Sequence, residues 1–470
     1  MIADLKPYAD YKDSGLPWLG KVPAHWQIVR SKRLFTARKE LARPDDIQLS
    51  ATQAYGVIAQ SLYEERTGYR VVKISMHLDK RRHVEKDDFI ISMRSFQGGL
   101  ERAWSAGAIR SSYVVLKPDV QVDAAYFKHL FKSVPYIAAL RATGDFIRDG
   151  QDLNYTNFCG VDLPQSPLPE QAAIVRFLDW VNGRLERAIR AKRKVIALLT
   201  EQKLAVINRA VTCGDDPKGQ LKSSGVQWLG DIPQHWEVIS LRMRYSVELG
   251  KMLDAKRITG RHSIPYLRNR DVQWDNVLTD GLPTMDIAPD EISRYTVQKG
   301  DLLICEGGQV GRSAFWEGAL PTCGYQKALH RVRSFDRNRD YPRFLFYQLQ
   351  LAAGLGVFTA DGNENTIAHL TNEKLRRHRF AFPPFSEQKA VTDALDAELL
   401  QFQKITSRLE REIELLREYR IRLIADVVTG KLDVREAAMR LPEDFAPDVT
   451  VDLSAEADAA ELTDEEATEA

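Results

Sequence analysis

The sequence predicts a mixed α/β chain made of two copies of one unit, each a strand-rich domain followed by a single long helix. Three observations carry this reading: a tryptophan motif that recurs, a proline-led helical stretch that recurs, and short β-type runs at matching places between them. The motif runs from Ser14 to Trp26 as Ser-Gly-Leu-Pro-Trp-Leu-Gly-Lys-Val-Pro-Ala-His-Trp, and returns from Ser224 to Trp236 with eight identical positions at an offset of 210. Its glycines and prolines make a rigid, turn-rich segment, and its tryptophans suit an apolar anchor. His25 and His235 have no carboxylate or cysteine close in sequence, so they read as structural, since catalysis needs a constellation.

The helical stretch from Glu170 to Val211 follows a lead containing Pro164, Pro167 and Pro169. Ile174, Leu178, Val181, Leu185, Ala188, Val195 and Leu199 fall at steps of mostly four and three, the stripe of a coiled coil. About 40 residues at 1.5 Å each make a rod of roughly 60 Å. From Glu387 to Val428 the pattern repeats after Pro383-Pro384, with Leu395, Leu399, Phe402, Leu409, Ile413, Leu416, Leu423 and Val427, at an offset of 217. Both copies begin Glu-Gln and close on Val211-Thr212-Cys213-Gly214 and Val428-Thr429-Gly430. Lys192, Gln202, Thr406 and Arg420 are the polar stripe positions, the kind that fixes register. Because the stripe occurs twice, its partner is expected within the same chain.

Between the anchors, strands are expected at Tyr69 to Ile74, Asp88 to Met93 and Ser111 to Leu116, and helices at Ser31 to Leu41 and Ala124 to Ala142. The second half repeats the order, with strands at Asp301 to Cys305 and Leu329 to Val332 and a helix at Pro342 to Ala353. The expected boundaries are residues 1–166 and 215–383 for the two domains, 167–214 and 384–436 for the helices, and 437–470 for a tail. From Leu441 onward the chain has eleven acidic residues and no Lys or Arg, a composition that predicts an unstructured, solubilising segment.

That tail hides a basic protein. The formal net charge is +1, yet without the tail 66 basic residues face 54 acidic ones, a balance that favours a polyanionic partner. The four cysteines are far apart and form no C-x-x-C pair, which suits free thiols in a reducing compartment. The amino-terminal residues lack an apolar signal core and no run approaches the ~20 apolar residues of a membrane span, so a cytoplasmic location is expected.

Two frames with matching anchors and differing loops suggest two versions of one task, carried by the loops. The first copy's loops offer Lys80, Arg81, Arg82, Arg94, Gln97 and Arg148; the second copy's offer Arg268, Asn269, Arg270, Gln309, Arg312, Asn363 and Asn365. Arg presents a bidentate fork to guanine, Asn and Gln match adenine, and Lys mainly holds phosphate, so these residues are candidate DNA contacts. Catalytic signatures fail one by one. Phe382-Pro383-Pro384-Phe385 has Phe where an amino-methyltransferase needs a polar acceptor for its target amine. Glu201-Gln202-Lys203 and Glu387-Gln388-Lys389 lie on predicted helices without the clustered carboxylates that hold Mg²⁺ in a nuclease. Gly308-Gln309-Val310-Gly311-Arg312-Ser313 lacks the Gly-Lys-Ser/Thr ending of a phosphate loop. The chain is expected not to be an enzyme.

The duplicated Trp-Leu-Gly-x-(Val/Ile)-Pro-x-His-Trp, the duplicated proline lead into Glu-Gln and a long helix, and the Val-Thr-(x)-Gly endings resemble the specificity subunit of type I restriction-modification systems over residues 11–436. The resemblance implies two target-recognition domains separated by two long helices pairing as an antiparallel coiled coil, with an internal pseudo-twofold repeat. It implies that each domain reads one half of a bipartite, asymmetric site in double-stranded DNA, with the helices setting the spacer. It also implies two modification (methyltransferase) subunits and restriction (motor-nuclease) subunits as partners, which would bind S-adenosylmethionine, ATP and Mg²⁺; no cofactor or metal is expected in this chain. Leu178, Leu185, Lys192, Leu199, Leu395, Phe402, Leu409 and Leu416 are the candidate coiled-coil and docking residues. Charge adds a proposed register, with Arg184, Arg187 and Arg190 of the basic first helix beside Glu410, Glu412 and Glu414 of the more acidic second. An orphan DNA-binding regulator and a structural coiled-coil adaptor remain as other readings.

Overall fold

The computed structural model describes residues 5–71, 80–92, 95–144, 154–214, 219–253, 259–359 and 369–442. The chain forms two compact units, residues 1–193 with 410–470, and residues 194–409. Each unit therefore takes part of both long helices, which run Leu168–Cys213 and Phe385–Val428.

In the first unit a four-stranded antiparallel sheet has the order Phe35–Arg38, Val114–Pro118, Phe89–Ile91, Glu101–Arg102. In the second unit the corresponding order is Tyr245–Leu249, Leu329–Ser334, Leu302–Cys305, Ser313–Phe315, again antiparallel. The sequence repeat is thus a repeat of sheet topology. Each sheet shares a core with a helix, Ala124–Phe131 or Pro342–Gly354. In the first unit Phe35, Phe89, Phe127, Phe131 and Phe158 meet largely edge to face around a core that also takes Ile174, Leu178 and Leu185 from the long helix.

Three of the expected elements differ. Ser31 to Leu41 is a single helical turn, Ser31–Leu34, followed by the strand Phe35–Arg38, because Phe35 and Ala37 pair with Pro118 and Leu116 in the sheet. Ala124 to Ala142 is two helices, Ala124–Phe131 and Val134–Arg141, split where Pro135 starts a new first turn. Tyr69 to Val71 is not a strand, and residues 72–74 of that expected strand lie outside the described residues.

The duplicated motifs meet each other within each unit. The strand after the tryptophan motif pairs with the proline lead, Gln27–Val29 with Leu163–Gln165 and Glu237–Ser240 with Arg379–Phe382. The helix endings then close on the tryptophans. Gly430 (φ +77°) leaves no room for a Cβ, which would stand 2.4 Å from Pro23 Cδ and 3.1 Å from the Trp26 ring; at Gly214 (φ +66°) it would stand 3.0 Å from the Trp236 ring. Both positions need a left-handed backbone and a close approach, which only glycine supplies without strain.

Helix pairing is antiparallel. In the first unit Glu186 pairs with Arg420, and Lys192 pairs with Glu412. Two of the four polar stripe positions, Lys192 and Arg420, thus make cross-helix ion pairs. The register differs from the proposed one: Arg187 stands opposite roughly residue 418, more than a helical turn from Glu412. Arg184 lies over the Trp180 ring and Glu414 pairs with Arg411 of its own helix. Leu178 and Leu185 are buried with Leu423 and Val427, and Leu416 is half-buried against them. In the second unit Leu395 is buried and Phe402 half-buried in the core that holds Ile207 and Val211, while Leu199 and Leu409 are half-buried. Val195, placed on the stripe by its spacing, is 44% exposed, as the straight-helix period of 3.6 carries it off a seam that repeats every 3.5.

Candidate nucleic-acid interface

Each proline-led helix opens on a carboxylate that gathers the tryptophan motif. Glu170 accepts from Tyr8 Oη (2.7 Å), Trp26 Nε1 (2.9 Å) and His25 Nε2 (2.7 Å). Glu387 accepts from Trp236 Nε1 (2.9 Å) and His235 Nε2 (2.7 Å). The next residue caps the loop before each domain helix: Gln171 Oε1 accepts from Asp123 N (2.9 Å) and Gln388 Oε1 from Tyr341 N (2.8 Å). The histidines do have carboxylate partners, 145 and 152 residues away, which proximity in sequence could not reveal. The whole constellation orients a domain on its helix.

On that frame the loops of the second unit converge. Arg268–Asp271 forms a tight turn in which Asp271, almost fully buried, accepts Arg268 N, Nε and Nη2, each at 2.8 Å. The side-chain hydrogen bonds to Asp271 raise the Arg268 pKa further. Asn269 Nδ2 donates to Gly307 O (2.9 Å), and Arg312 Nη2 donates to Asn269 O (2.9 Å). Leu370 N donates to Glu306 O (2.8 Å), tying in the segment that follows residues 360–368. Of the expected contacts here, Arg270 and Gln309 are exposed, whereas Arg268, Asn269 and Arg312 are partly buried and engaged within the protein. Asn363 and Asn365 lie outside the described residues.

In the first unit the described residues among those expected lie on two segments, residues 80–82 and the turn Ser95–Gly98. Gln97 is exposed on the turn Ser95–Gly98, where Gly98 lies against the Gln53 side chain and Arg141 Nε donates to Phe96 O. Lys80 is exposed, and Arg82 Nη1 donates to Lys39 O (3.3 Å). Arg81 is buried; burial and then the neighbouring Arg110 guanidinium lower its pKa. It is therefore not the freely exposed contact expected of it. Arg94 and Arg148 lie outside the described residues. Sequence reasoning missed Trp104, 41% exposed with the Arg102 guanidinium 4.7 Å and the Lys128 ammonium 5.5 Å from its ring. Nor does the sequence reveal that His83 is buried between Asp46 (2.8 Å) and Glu85 (2.9 Å), because Asp46 lies 37 residues away and is brought in by the fold.

Residues 233–415 match the family described as the type I restriction modification DNA specificity domain. The chain is similar to type I restriction-modification specificity subunits. It is 25% identical over 215 residues to the EcoBI specificity subunit of Escherichia coli, covering 45% of this chain and 43% of that subunit. It is 20% identical over 431 residues to the MjaVIII specificity subunit of Methanocaldococcus jannaschii, covering 88% of this chain and 95% of the other. In fold it is similar, with a TM-score of 0.58 and 15% identity, to a chain from a solved type I R-M system assembly, over 87% of this chain and 99% of that one. Among the described residues, no group of His, Cys, Asp and Glu has a metal-holding arrangement, and no helix is long and apolar enough to cross a membrane.

Proposed function

We propose that this chain is a type I restriction-modification specificity subunit that binds double-stranded DNA sequence-specifically, each strand-rich domain reading one half of a bipartite, asymmetric site. The observation that carries the reading is the doubled sheet: one topology and one set of Trp–Glu–Gly anchors, repeated with loops that differ in both length and residue type. Identical mounts with unlike loops suit two half-sites of unlike sequence. Exposed Arg270 and Gln309 in one domain, and Lys80 and Gln97 in the other, have the donor chemistry for base edges and phosphates. The paired helices set the spacer, and two modification subunits and the restriction subunits assemble with the chain in the cytoplasm. Those partners supply S-adenosylmethionine, ATP and Mg²⁺, while this chain carries recognition and no catalytic step.

Methylome sequencing of cells expressing the modification subunits with this chain tests the reading. The expected result is a methylated motif in two specified parts separated by a fixed unspecified spacer. A contiguous motif, or none, overturns it.

A further inference from the structure

The turn at residues 268–271 and the loop at 306–312 are built as one rigid piece. Asn269 Nδ2 holds Gly307 O at 2.9 Å, and Arg312 reaches back from the far end of the loop to hold Asn269 O at 2.9 Å. The loop is closed at its base by Cys305 N to Arg312 O (2.8 Å) and Gly311 N to Cys305 O (3.1 Å). Below it, buried His330 donates from Nε2 to Leu370 O (2.7 Å), and Leu370 N holds Glu306 O. The glycines belong to the same device. Gly308 has φ +68°, and a Cβ there would stand 3.2 Å from Asn269 Nδ2; at Gly311, φ +83°, it would stand 2.5 Å from the Phe358 ring. Buried Val310 pins the loop from beneath. What remains outward is Gln309 on the loop and Arg270 on the turn.

We infer that Asn269 and Arg312 are positioning residues, which lock the 306–312 loop to the 268–271 turn so that Gln309 and Arg270 are presented in fixed register to one half-site. This rests on the reading that the second domain recognises DNA. It assigns different tasks to residues that share the same chemistry in sequence: Arg312 Nη2 and Asn269 Nδ2 are committed to backbone carbonyls, while the Gln309 and Arg270 side chains are exposed. A preset loop also avoids the ordering cost that a mobile one incurs on binding.

Two measurements on the full chain test the lock. The first needs no DNA. Hydrogen exchange of the amides at residues 306–312 is expected to quicken roughly fivefold in Asn269→Asp, which is isosteric but loses the donor, and in Arg312→Lys, which keeps charge but loses the guanidinium fork. The amides at residues 95–99 of the other domain should not change. Unchanged exchange at 306–312 overturns the inference. The second measurement selects bound molecules from a pool of duplexes of randomised sequence. Asn269→Asp, Arg312→Lys and Gly308→Ala should relax base preference at the same positions that Gln309→Ala relaxes, and leave the other half-site intact. Gly308 has no side chain with which to read a base, so its effect reports loop position alone and also covers a variant that folds poorly. If Asn269→Asp relaxes a position that Gln309→Ala and Arg270→Ala leave specified, Asn269 is itself a reader and the inference fails. If the unaltered chain selects no sequence at all, the proposed function fails, and the exchange experiment still decides the lock.

Discussion

Glu170 satisfies three donors with one buried carboxylate, and Glu387 satisfies two from a more open position, with His235 56% exposed. Glu170→Ala leaves the fully buried Trp26 indole N–H and the Tyr8 hydroxyl without their acceptor, which should cost about 2–4 kcal/mol. Glu387→Ala should cost less, since water reaches His235. Urea unfolding of the two variants, compared with the parent chain, checks both the sign and the order. Histidine adds a pH dependence of opposite sign in the two domains. Burial opposes charging of His83, but hydrogen bonds to Glu85 and Asp46 outweigh it and raise its pKa, even with the Arg43 guanidinium nearby. A raised folded pKa gives stability that is complete below the free value of about 6.5 and is lost as pH rises through the folded value. At His330 burial dominates over the bond to Leu370 O and pushes the pKa down to about 4, so its contribution is present above about 6.5 and is lost, up to roughly 3 kcal/mol, as pH falls towards the folded value. Unfolding followed across that range in His83→Gln should remove the alkaline loss, and in His330→Gln the acid one; parallel profiles in parent and variants would contradict the assignment.

At the scale of elements, the cross-helix ion pairs Glu186–Arg420 and Lys192–Glu412 test the register. Glu186 and Arg420 are mostly withdrawn from water, with side-chain exposures of 12% and 22%, so breaking this pair should leave a poorly solvated charge. A double-mutant cycle through Glu186→Gln and Arg420→Gln should give a coupling of about 1–3 kcal/mol. The more exposed Lys192–Glu412 pair should give less than about 1 kcal/mol. Glu410→Lys and Glu414→Lys should leave stability nearly unchanged, while Glu412→Lys should not. The helices themselves were plain in the sequence because 3.5-residue spacing, proline leads and glycine ends are local signals. Their register was not, because charge count alone let Arg187 face Glu412, whereas the seam is set by which apolar side chains interdigitate along it. The sheet strand Phe35–Arg38 was hidden for a related reason: Leu34, Phe35 and Ala37 are compatible with a helix until Val114–Pro118 supplies the hydrogen-bonding edge. Among the loops, residue type singled out segments that the second unit brings together, but it could not separate exposed Arg270 and Gln309 from Asn269 and Arg312, each of which holds a backbone carbonyl.

For the whole molecule, charge is the property that the proposed function uses most directly. The full chain carries +1, and removing residues 443–470 takes away eleven acidic residues and no basic ones, leaving +12. Attraction to DNA phosphates is a long-range, sequence-independent term, and acidic residues tethered to the same chain offset it within a Debye length of about 8 Å at physiological salt. A chain ending at Pro442 should therefore bind random-sequence duplex more tightly at low salt, with the gain vanishing as salt is raised. Its preference for the specified half-sites should narrow relative to random DNA, because the added attraction does not distinguish bases. Under the proposed function the loops hold the base contacts, so the methylated motif should keep the same two parts and the same spacer. Titrations of specific and random duplexes across a salt series separate these effects. An unchanged ratio of specific to random affinity at low salt would mean that the acidic segment does not share the field of the recognition surface.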